Sequence, residues 1–189
     1  MPAEVKKLLG KCGYNHIRSI EEYRYARDTT TVSLINIETG KTDYVHKTKI
    51  KEFWDNLADD DKIEMAGWSY DDFLERLNKS YCYYLKRDNK VIATGGSYPD
   101  DLNICLWLLV TDKAYKYPKS LIKAVRKGIM KELSIYPDSM SFVFALPDEV
   151  SEKHNRFIDR VLKMDFMCWS DIHRVYMKEK KELLQCIGF

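Results

Sequence analysis

The sequence predicts an α+β domain: a mixed, mostly antiparallel sheet flanked by helices, with an N-terminal extension. Three observations predict it. Short runs rich in β-branched and aromatic residues alternate with tight turns, as in KRDNKVIATGGS with its turn at Asp88-Asn89. The run Asn103–Val110 is apolar on both faces, as a strand in the middle of a sheet must be. A loop, a long amphipathic helix and a further buried strand, SFVFAL, then follow in that order.

The chain has 189 residues, enough for one domain with a sizeable core. Hydrophobic residues make up 45% and aromatics 13%, which excludes a disordered chain. Net charge is +2, so nucleic acid is not indicated as a partner. The five cysteines are odd in number and lack CxxC spacing, which argues against a disulfide framework or a structural zinc and suits a reducing cytosol. The longest apolar run, Ile104 to Val110, falls far short of the roughly 20 residues a membrane helix needs.

Each element has its own cause. Val5, Leu8, Leu9 and Cys12 predict a helix over 4–12, and Ser19 caps a second through Arg27. Thr30–Ile37 and Thr42–His46 form a hairpin about Glu38-Thr39-Gly40-Lys41. Ile50, Phe53, Trp54 and Leu57 mark an amphipathic helix. After Asp59-Asp60-Asp61 a short helix spans Lys62–Ala66, and Ser69 caps another over Tyr70–Leu77. Tyr81–Leu85 and Val91–Thr94 pair, with Gly95-Gly96 as a bulge or a close backbone approach. The next helix buries Leu121, Ile122, Val125, Ile129 and Leu133 and leaves its lysines wet, with Pro118 just before its first turn. A helix from Ser151 or Glu152 to Leu162, one last strand near Cys168–Met177 and a charged helical tail complete the chain. The expected division is an extension over 1–45, a main domain over 46–178 and a tail over 179–189.

This order of elements resembles the acyl-CoA-dependent N-acetyltransferase (GNAT) fold. The segments LADDDKIEMAGWSYDDFLERLNKS, VIATGG, CLWLLVTDK, LIKAVRKGIMKEL, YPDSMSFVFA and HNRFIDRVLKMDF, in succession over roughly residues 48–168, resemble the GNAT-like internal virion protein family of short-tailed phages, often also labelled phage acetyltransferases. That resemblance implies a role in particle assembly or genome ejection, with other virion proteins or further copies of the chain as partners.

The GNAT resemblance also sets three chemical requirements. The cofactor diphosphate needs a turn of open backbone amides, usually within Arg or Gln, two residues, Gly, one residue, Gly or Ala. Here Lys113 to Ser120 lacks glycine, carries Tyr115 and Tyr117, and loses a donor at Pro118. The amine proton needs a base; Asp112, Asp60 and Glu64 are the nearest carboxylates. The leaving thiolate needs an acid; after His154-Asn155 the expected tyrosine place holds Val161 or Leu162, leaving Tyr176 or Tyr117 as substitutes. The expectation is therefore a GNAT-like phage protein working by contacts, with no cofactor and no assigned catalytic residue. The alternative is an acetyl-CoA-dependent N-acyltransferase with an atypical loop. Leu109, Val110 and Thr111 would then meet the pantetheine arm, and Lys116, Lys119 and Ser120 the phosphates. The four histidines lack metal-ligand spacing.

Overall fold

A computed structural model describes residues 30–100, 103–147, 157, 161–169 and 173–187. The expected helices over 4–12 and 19–27, and most of the one over 151–162, lie outside the described residues.

Eight strands form one mixed sheet in the order β2-β1-β3-β4-β5-β6-β8-β7. The hairpin β1 (Thr31–Asn36) and β2 (Thr42–His46) turns at Gly40, whose φ of +74° suits a residue without Cβ. β1 also pairs in parallel with β3 (Tyr81–Arg87), so this hairpin belongs to the sheet and does not stand apart from it. β3 and β4 (Lys90–Asp100) turn through Asp88 and Asn89, both at positive φ, the primed geometry that matches strand twist.

β4 runs further than the sequence reading allowed, and Gly95-Gly96 is not a bulge. Register is continuous there, and the irregularity falls at Leu85/Lys86. The glycines serve close approach: a Cβ on Gly96 would sit 2.1 Å from the Tyr81 carbonyl oxygen, and one on Gly95 2.7 Å from that of Trp107.

Three helices join β2 to β3: α1 (Lys47–Asp55), α2 (Asp59–Glu64) and α3 (Tyr70–Lys79). α2 starts earlier than expected, because Asp59, Asp60 and Asp61 form its first turn, where carboxylates offset the helix dipole. Ser69 caps α3 in a capping box with Asp72. α1 and α3 bury Ile50, Phe53, Phe73 and Leu77 against one side of β1, β3, β4 and β5 (Asn103–Val110).

A 3-10 turn (Asp112–Lys116) leads to α4 (Pro118–Ile135), which covers the other face with Leu121, Ile129 and Leu133. Pro118 lies inside the helix at its first position, where its missing N–H costs nothing. β6 (Ser141–Pro147) follows. The region expected as one last strand is two, β7 (Asp165–Trp169) and β8 (His173–Glu179), and α5 (Lys180–Ile187) closes the described chain. This α+β arrangement, a largely antiparallel sheet with parallel pairs at β1–β3 and β5–β6 and helices on both faces, is GNAT-like.

Candidate active site

The site begins where the sheet comes apart. β5 and β6 run parallel and pair from Asn103↔Ser141 to Leu106↔Phe144. Beyond that, β5 stays with β4 as far as Ala93↔Val110, and β6 stays with β8 as far as Pro147↔His173. Each strand follows its antiparallel partner, so a cleft parts residues 107–110 from 145–147, and α2 packs over it with Ile63 against the cluster of Phe142, Phe144 and Leu146. Trp107 does not fill it; its ring packs in the cluster under α1 and α3.

α2 reaches the mouth of this cleft. The Ala58 N–H donates to the Val110 carbonyl at 2.9 Å, and the Val110 N–H donates to Asp61 Oδ1 at 2.9 Å. Asp61 has no exposed surface, and burial, helped by the nearby charges of Glu64 and Asp60, pushes its carboxyl up to about 8. The Thr111 N–H is spent on the Ile92 carbonyl at 2.9 Å, and Leu109 lies opposite Thr94 in the β4 ladder. Of the three residues expected to meet a pantetheine arm, only Val110 therefore turns its amide away from β4, and a carboxylate already holds it.

Glu64 lies one turn further along α2, on the same side as Asp61. Its Oε2 is buried and meets no hydrogen-bond partner among the described residues. Burial raises its carboxyl to about 7, and the charge of Arg76 opposes the shift. Arg76 is clasped between the rings of Trp68 (4.4 Å) and Tyr98 (4.7 Å). Burial raises the Cys105 thiol beside Tyr98, which disfavours the thiolate. Asp112 is exposed at the start of the 3-10 turn, and Tyr176 is buried on β8 opposite Phe144.

The predicted phosphate loop is a tight turn. Its Ala114 and Tyr117 amides go to the Thr111 and Ala114 carbonyls, at 2.8 and 2.9 Å. The α4 N-terminus has no side-chain cap and no acid in its first turn, and the Leu121 N–H reaches back to Tyr117. The first-turn amides of Lys119 and Ser120 consequently have no capping side chain. Lys116 and Lys119 are exposed beside them. Of the two rings expected to crowd this turn, Tyr117 lies under the Arg87 guanidinium at 5.9 Å, and Tyr115 is partly exposed.

The basic face of α4 is partly folded onto the protein. Lys127 Nζ donates to the Glu38 carbonyl at 2.7 Å, and Lys131 sits 5.9 Å from the Tyr83 ring. His46 caps α1 through Nδ1. No cluster of metal-ligating side chains occurs among the described residues, and no helix among them is long and apolar enough to cross a membrane.

Asp61 was not legible beforehand, because three successive aspartates read as a solvated turn. Only α2 docking on the end of β5 makes one of them buried.

No family model matches the chain, and no curated protein matches it. Solved acetyltransferase structures are similar to part of it. The PaiA N-acetyltransferase of Thermoplasma acidophilum in complex with coenzyme A is 13% identical, with a TM-score of 0.45 over 69% of this chain and 86% of that one. A Bacillus subtilis acetyltransferase in complex with CoA is 12% identical, with a TM-score of 0.42 over 68% and 91%. A ribosomal-protein alanine N-acetyltransferase of Escherichia coli is 8% identical, with a TM-score of 0.41 over 69% and 83%.

Proposed function

We propose that the protein is an acyl-CoA-dependent N-acyltransferase whose site is the cleft between β5 and β6. The observation that carries this reading is the early parting of those strands beside Glu64, a carboxyl raised to about 7. A general base works best with a pKa near the operating pH.

The residues fit the cofactor at both ends. The uncapped amides of Lys119 and Ser120, at the positive end of an 18-residue helix, suit a diphosphate, and Lys116 and Lys119 add charge. Val110 offers an amide for the arm once Asp61 withdraws. Bound there, acetyl-CoA supplies an acyl group activated as a thioester.

The chain's own residues do the rest. Glu64 accepts the proton of the incoming amine as its nitrogen bonds the acyl carbon, and returns it to the thiolate released when the C–S bond breaks; Trp68, Arg76 and Tyr98 form the wall on its side of the sheet. The buried end of the cleft at Leu106 and Phe144 excludes water.

A second reading keeps the fold without the catalysis: a morphogenetic protein, in a phage particle or its assembly, that works by protein contacts. Two facts favour it, the Val110 amide closed by Asp61 and the turn amides spent internally. Isothermal titration with acetyl-CoA separates the two. Binding that K116E/K119E weakens supports the acyltransferase. Absence of heat up to millimolar ligand removes it and leaves the contact protein.

A further inference from the structure

The face of the sheet under α4 holds a half-enclosed cavity of about 70 Å³. Its walls include Gly95, Leu106 and Leu108, Phe144 of β6, and Ala124 and Gly128 of α4. Leu106 and Phe144 are also the last pair before β5 and β6 separate, so the cavity abuts the inner end of the cleft.

Gly128 shows that this space is kept open. It lies in the middle of α4 without a positive φ, so its backbone does not require glycine. Close packing does not require it either, since a Cβ there would meet nothing nearer than Ile37 Cδ1 at 3.7 Å. A helix-interior glycine costs stability relative to alanine. Here that cost leaves room and brings no other local gain. Glu132, a polar group on the wall, accepts from the Ser97 hydroxyl through Oε2, its Oε1 is buried without a hydrogen-bond partner among the described residues, and burial raises its carboxyl, which favours the neutral form there. The rest of the accessible wall is almost wholly apolar.

We infer that the acyl group taken by this site is longer than acetyl: a short aliphatic chain that lies in the cavity between α4 and β5. This rests on the acyltransferase reading above. The volume sets its length. A dry cavity of about 150 Å³ accepts benzene, so roughly half that volume accepts about three carbons beyond the carbonyl.

The test is calorimetric titration of the full chain with acetyl-, propionyl-, butyryl-, hexanoyl- and octanoyl-CoA. Burying each methylene is worth about four-fold in affinity. Affinity is expected to rise by that step as far as butyryl and to gain nothing at octanoyl. In G128L, the butyryl ester is expected to bind no better than the acetyl ester of the same variant. G128A, whose added methyl fits the measured space, covers the case in which the leucine variant fails to fold, and is expected to shorten the preferred chain by about one carbon. Equal affinity across the series overturns the inference while leaving acyl transfer intact. Failure of every ester, acetyl included, overturns the acyltransferase reading and this inference with it.

Discussion

At the scale of single residues, α2 carries two buried carboxyls with different roles. Asp61 is raised to about 8 by burial, so the folded state holds a proton that the unfolded chain releases near pH 4. The sign follows: the contribution of Asp61 to stability is greatest below pH 4 and is lost as pH rises towards 8, at up to about 1.4 kcal/mol per unit. D61N removes this contribution. Urea midpoints measured from pH 5 to 8 are expected to fall less steeply in the variant. In the proposed acyl transfer Glu64 is the base. The rate should rise as Glu64 deprotonates through about pH 7, and E64Q should lose about 10²–10⁴-fold in kcat together with that limb of the profile. A variant as active as the parent would exclude Glu64 as the base.

At the scale of elements, local rules account for α3 and tertiary contact accounts for β4. Ser69 and Asp72 satisfy two amides reciprocally, so S69A is expected to cost about 1 kcal/mol by denaturant unfolding, with little effect on ligand binding. Gly96 obeys a different constraint. Its missing Cβ would lie 2.1 Å from backbone oxygen, which no side-chain rotation can relieve. G96A should therefore cost more than S69A, about 1–3 kcal/mol, and thermal melting of the two variants side by side checks the order. The α4 N-terminus shows the opposite case, an element end left unsatisfied within the fold. That is why substitution of Lys116 and Lys119 is expected to change anion binding and leave melting nearly unaltered.

At the scale of the whole molecule, the β5–β6 junction joins two halves of the sheet that otherwise follow separate partners. Phe142 lies fully buried opposite Ile104 within the short paired stretch. F142A is expected to cost about 3–5 kcal/mol. For a chain of this size that corresponds to a Tm lowered by roughly 10 °C or more, readable by calorimetry. The opening at the far end of the same strands is the geometric counterpart of this junction, because strands paired along their whole length would leave no gap between them.

Much of the fold was written in local pattern. Two-residue alternation, the Asp88-Asn89 turn, the Ser69 cap and the two-sided apolar run at Asn103–Val110 located β2, β3, α3 and β5, since each depends on neighbours a few positions away. Glu64 was within reach as one of several carboxylates near the sheet. Asp61, the space beside Gly128 and the division of the last strand into β7 and β8 were not. A residue's burial and the separation of two strands depend on chain segments tens of positions apart, and only packing brings those together.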